Sequence, residues 1–154
     1  MKYKNKIPSP LVNYVNQKVK DPLFKAFIKI FYENLSSNDL KGRNHSELFH
    51  RAHHAWSLGK IKKSAKPSIN IFNPTIKDHF YESAHTIIDI TTQDMPYLID
   101  SITSAFMQKG INIWLLIHPI ISLKRDKSGK ILKILDNDET HFESLAESVI
   151  HIEI

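Results

Sequence analysis

Residues 86–119, TIIDITTQDMPYLIDSITSAFMQKGINIWLLIHP, decide how this chain is read. The β-branched run at 86–92 predicts a strand. Asp94 is placed to cap a helix, and Pro96 suits its first turn. Leu98, Ile99, Ile102, Ala105 and Phe106 then fall on one helical stripe. Gly110 supplies the positive φ that stops the helix. Residues 111–117 predict a second strand, with Ile111, Ile113, Leu115 and Ile117 on one face. The span as a whole predicts a helix folded back over its own sheet.

Downstream, Pro119 interrupts ladder pairing. Residues 121–135 predict a hairpin turning at 126–129. An acidic loop follows at 136–139, then a short helix or irregular link at 141–147. Residues 148–154 close as a strand, with Ile150, Ile152 and Ile154 on one side and Val149, His151 and Glu153 on the other. Upstream, residues 1–10 read as a basic tail. A helix starts at Pro10, with Leu11, Val12, Val15 and Val19 at helical spacing. Asp21 and Pro22 open a second helix whose stripe is Leu23, Phe24, Phe27, Ile28, Phe31 and Leu35. A third runs from a cap at Asn44 or Ser46 to about Leu58, with Leu48, Ala52, Ala55 and Trp56 inside and Gly59 ending it. Residues 60–68 form a basic, proline-bearing linker, 69–74 a short extended piece and 75–84 a polar loop. The expected organisation is a helical segment at 1–59, the linker at 60–68 and a sheet domain at 69–154.

Hydrophobic residues make up 42% and charged residues 24% of the 154, within the globular range. The absence of cysteine excludes disulfides and thiolate chemistry. No apolar run reaches membrane-spanning length and no signal core follows the basic N-terminus, so the cytoplasm is the expected compartment. The net charge of +5 permits loose attraction to polyanions, but the lysines are spread along the chain and read as a solvated surface. Four glycines, at 42, 59, 110 and 129, leave no room for GxGxxG or a Walker loop, which argues against a self-contained dinucleotide enzyme.

A strand, then DxPxL opening a helix, then GIxI opening the next strand is similar to an ACT domain; Asp94, Pro96, Leu98, Gly110, Ile111 and Ile113 carry the pattern. FNPT at Phe72, the tract from His85, GINIWLLIHPI at Gly110, HIEI at His151 and DLKGRNHSELF at Asp39 together resemble the N-terminal region of the large bacterial NAD-specific glutamate dehydrogenases. The resemblance implies an α+β fold: a helical lead-in, then an incomplete ferredoxin-like βαββ sheet lacking the module's second helix and fourth strand. The last strand would insert between the first two, and the first would keep an unpaired edge prone to self-association. The resemblance also implies a non-catalytic regulatory or oligomerisation segment. The parent enzyme would convert glutamate and NAD to 2-oxoglutarate and ammonia; this chain itself would hold no cofactor. Its partners would be the rest of that dehydrogenase or another copy, with an amino acid as a possible effector.

Candidate sites follow from these placements. The loop before the central helix, with Thr92, Asp94, Met95, Pro96 and Tyr97, could present free amides to a carboxylate. Ligand-binding ACT domains often have glycine where Tyr97 stands, which argues against close approach; simple helix capping is the plainer reading. On the sheet face away from the helix, Asp89, Trp114, Leu116, His118, His151 and Glu153 are expected to cluster. Such a face needs a cover, either the N-terminal helices or a second sheet. The cluster reads as a polar interface patch or, less readily, as acid–base machinery. His50 and His54, near His53 and His45, have chelating spacing but no HExxH order, and read as the polar side of a helix. A stand-alone small-ligand or RNA-binding ferredoxin-like module remains the alternative. Base stacking would have only Trp114 to use, which argues against nucleic acid.

Overall fold

The computed structural model describes residues 7–135 and 144–154. The basic tail at 1–6, the acidic loop at 136–139 and the start of the link at 141–143 lie outside the described residues.

Three helices come first. α1, Ser9–Lys18, buries Leu11 and Val15. α2, Pro22–Tyr32, starts where the Leu23 amide donates to Asp21 Oδ1 at 2.9 Å, so Asp21 is the expected cap. It buries Phe24, Phe27, Ile28, Phe31 and Tyr32. α3, His45–Gly59, is capped by Asn44, whose Oδ1 accepts from the Glu47 amide at 2.8 Å. Gly59 does not end this helix as expected: it is the last helical residue, and Lys60 after it keeps a right-handed φ of −60°. Its value is space. A Cβ there would stand 3.0 Å from Thr91 Oγ1, so glycine lets α3 close onto the sheet.

β1, Ser68–Phe72, precedes a single turn, α4, Ile76–His79, in the tract read as loop. Thr75 creates it, its hydroxyl oxygen accepting from the Asp78 amide at 3.2 Å. β2, Ile87–Gln93, leads to α5, Leu98–Gln108. The expected cap is wrong here. Asp94 accepts from the Ser148 hydroxyl at 2.6 Å, and the helix starts after Tyr97, which sits left-handed at φ 62°. Gly110, at φ 66°, stops α5 as read from the sequence. β3, Leu115–Ile117, and β4, Ile120–Arg125, flank Pro119; β5, Ile131–Ile134, and β6, Leu145–Glu153, complete the set.

Among the described residues the six strands make one antiparallel sheet in the order β1-β2-β6-β4-β5, with β3 also pairing β6. The last strand does insert between β2 and β3, in the registers Ile88↔Ile152 and Leu116↔Ile152. Two expectations are corrected. β2 has no bare edge, because β1 pairs it in the register Ile69↔Ile90 and Ile71↔Ile88. And residues 111–114 are not strand, so alternation lapses: Leu115 and Ile117 face one core, while Ile113 and Leu116 face the other. Period-two alternation holds only where backbone pairing continues.

The sheet therefore divides two apolar layers. On one face α1, α2 and α3 share a core with Ile117, Ile121, Leu123 and Val149. The helices, not a second sheet, cover this face. On the other, Ile88, Ile150 and Ile152 meet α5 through Leu98, Ile99, Ile102 and Phe106. No residue of α5 itself is fully buried.

Candidate functional site

The most concentrated chemistry lies between α3 and the sheet. The register Asp89↔His151 sets these side chains abreast on the helix-covered face, with Glu153 two residues on. All three are at most 1% exposed. His151 Nδ1 is 2.6 Å from Asp89 Oδ1, and its Nε2 is 3.6 Å from Glu153 Oε1. Burial disfavours a charged His151, but the charge and hydrogen bond of Asp89 and the hydrogen bond to Glu153 together raise its pKa.

Two arginines from above close the network. Arg43 donates from both terminal nitrogens to the two Glu153 oxygens at 2.9 Å, a forked pair. Arg51 Nη1 donates to the same carboxylate, and its Nε reaches Glu47 Oε1 at 3.0 Å. Its guanidinium also lies 4.8 Å from the Tyr81 ring centre. Burial opposes ionisation of Glu153, yet hydrogen bonds from His151 and Arg43 and the charges of both arginines draw its pKa down to about 2. With His151 protonated, three cations meet three anions: Arg43, Arg51 and His151 against Asp89, Glu47 and Glu153. The set is neutral; Arg51, Asp89, His151 and Glu153 are buried while Arg43 and Glu47 are partly exposed, and Asp89 Oδ2 has no hydrogen-bond partner among the described residues. It can hold a helix on a sheet, and only its outer members, Arg43 and Glu47, reach solvent.

Of the residues singled out beforehand, the structure thus joins Asp89, His151 and Glu153. Trp114 is 68% exposed, its ring 5.2 Å from that of His85. Leu116 lies in the α5 core. His118 Nε2 is 3.0 Å from the hydroxyl of Ser148, which donates to Asp94. Ser148 is fully buried and tied to a carboxylate, so this trio provides no nucleophile. Burial, only partly opposed by Asp94, lowers the His118 pKa. Thr92 is buried, whereas Met95 and Tyr97 are exposed beside an open hollow of about 410 Å³. That hollow also carries Asp94 and Asp100, whose charges repel a ligand carboxylate. His50 stacks on Phe80 and His54 packs against Phe72 and His79. Among the described residues no group of three or more His, Cys, Asp or Glu is placed to hold a metal ion, and no helix is long and apolar enough to cross a membrane.

Arg43, Glu47 and Arg51 escaped the sequence reading. One signal existed: Arg51 falls on the stripe of Leu48 and Ala55, a charge at an inward position needing a buried partner.

The family model for the glutamate dehydrogenase ACT1 domain matches residues 27–154. The NAD-specific glutamate dehydrogenase of Halomonas elongata is 25% identical over 129 residues, 84% of this chain and 8% of that protein. That of Pseudomonas aeruginosa is 24% identical over 152 residues, 99% of this chain and 9% of that protein. The chain thus spans less than a tenth of the length of these curated relatives. No solved structure gave a significant match.

Proposed function

The chain belongs to the glutamate dehydrogenase ACT1 domain family, and from that premise we propose that it is a non-catalytic assembly segment of an NAD-specific glutamate dehydrogenase. The parent reaction is oxidative deamination of glutamate to 2-oxoglutarate and ammonia, carried out elsewhere in that enzyme. The segment's task is to join one part of the protein, or one copy, to another and to pass conformational control between them.

One observation carries this reading: the layer over the α5 face is unfinished. Ile69 and Ile71 are 58% and 62% exposed on β1, in register with the core residues Ile90 and Ile88. Apolar strand residues beside a half-covered helix suit a docking face. The opposite face is closed by three helices and the charge network, so α5 and β1 are the side left for contact. The carboxylates beside the 94–97 loop make an amino-acid effector there the weaker reading.

Light scattering on the 154-residue chain tests it. The wild type is expected to associate with itself, or with the remaining dehydrogenase chain when mixed. Ile69→Asp with Ile71→Asp should abolish that association and leave the melting temperature nearly unchanged. A monomer indifferent to both would refute the assembly role. An amino-acid-dependent rise in melting temperature would favour the effector reading, and NADH production from glutamate by this chain alone would overturn both.

A further inference from the structure

Two basic stretches far apart in sequence meet in space. The linker contributes Lys60, Lys62, Lys63 and Lys66; the β4–β5 hairpin contributes Lys124, Arg125, Lys127, Lys130 and Lys133, with Asp126 its sole acid. Backbone bonds splice them: the Lys62 amide donates to Gly129 O at 2.9 Å, and the Ile131 amide to Lys60 O at 3.1 Å. Ile61 and Lys130 form an isolated antiparallel bridge. Gly129 permits the splice, since a Cβ there would lie 2.2 Å from Lys62 O.

Between them runs a groove of about 370 Å³, inside the size range of small-ligand sites. Among the described residues its lining includes Lys62, Lys63, Arg125 and Lys127 against Asp126 and Glu147, a surplus of two positive charges. Both acids are already engaged. Glu147 takes two bonds from Arg125, at 2.9 and 2.7 Å. Asp126 Oδ1 accepts from the Ser128 hydroxyl and amide and from the Lys130 amide. Among the described residues, no carboxylate pairs with the ammonium groups of Lys63 and Lys127, which stand exposed at the rim.

We propose that this groove binds a compact polyphosphate anion, either pyrophosphate itself or the phosphate chain of a nucleotide. A doubly or triply charged phosphate group matches the surplus, and its many acceptor oxygens suit several ammonium donors at once. An extended nucleic-acid strand fits less well, because among the described residues the lining holds no aromatic ring on which a base could stack. The site does not rest on the assembly reading: none of its described lining residues belongs to β1 or α5.

Equilibrium dialysis of the whole chain against pyrophosphate and against ATP tests it. Saturable one-to-one binding is expected, weakening steeply between about 50 and about 200 mM salt. Lys63→Glu with Lys127→Glu should reduce affinity about ten-fold or more. The same charge change at Lys77→Glu with Lys109→Glu, outside the groove, should leave it intact. Equal affinity for the two probes assigns the site to the phosphate chain; markedly tighter ATP binding assigns it to a nucleotide. Absence of saturable binding overturns the proposal, as does equal loss in both double variants. It is also overturned if an oligonucleotide binds with affinity rising with length and resists displacement by pyrophosphate. Circular dichroism of the variants, both altered only at exposed lysines, verifies folding.

Discussion

Glu153 is the residue on which both arginines converge, so its charge should matter more than its size. Glu153→Gln keeps the volume but leaves Arg43 and Arg51 short of their anion. The expected loss is about 3–5 kcal/mol in urea unfolding, and a loss under about 1 kcal/mol would show that the network is idle. His151 makes a pH prediction. Its folded pKa is raised, so its contribution is complete below the free-histidine value of about 6.5 and fades as pH climbs through the folded value. Asp89→Asn removes the carboxylate that raises it. The urea midpoint of the wild type should therefore fall, relative to that variant, as pH rises above neutrality. On the acid side the sign reverses. Burial lowers the pKa of His50, His53, His54 and His118, so stability declines as pH drops below about 6.5 toward their folded values. The sequence placed His151 and Glu153 on one strand face because period-two alternation is local. It could not show Arg51 and Arg43 above them, because α3 and the turn before it meet β6 only through tertiary packing.

At the scale of elements, two glycines hold pieces together. Gly59→Ala adds a methyl 3.0 Å from Oγ1 of Thr91, a residue 1% exposed that must shift to admit it. The expected cost is about 1–3 kcal/mol despite the better helix former, and it should shrink when measured in a Thr91→Ala background. Gly129→Ala meets a harder obstacle, a φ of +83° and the Lys62 carbonyl. It should break the linker–hairpin splice, seen as lost hydrogen-exchange protection at the Lys62 amide. Helix starts at Asp21 and Asn44 were legible because capping is a contact within a few residues. The start of α5 was not: Asp94 looked like a cap, but Ser148 claims its carboxylate from another strand. The strand at 111–117 was overestimated for a similar reason. Its apolar pattern is real, but the backbone first bonds to β6 at the Trp114 amide, 2.8 Å from Glu153 O, and the strand itself begins at Leu115.

Across the whole molecule, α1 to α3 and the sheet share one core, and the charge network bridges the same boundary. The chain should therefore unfold in a single step, with far-ultraviolet dichroism and tryptophan fluorescence giving coincident urea transitions. Two separated transitions would mean that the helical segment is held only loosely. The sheet is not symmetric in its protection: one face is sealed, and the other exposes Ile69 and Ile71 beside α5.

By itself the order of residues determined the three N-terminal helices, the body of α5 and most of the strands, since these rest on caps, turn glycines and periodicities spanning a few positions; the α+β class and the family came from the resemblance of its motifs to a known family. Tertiary structure alone decided that β1 fills the edge of β2, that Arg43 and Arg51 close over Asp89, His151 and Glu153, and that two distant lysine stretches line one groove. Each of these joins groups separated by many residues along the chain. Such pairings depend on how the layers stack, and local pattern carries no record of that.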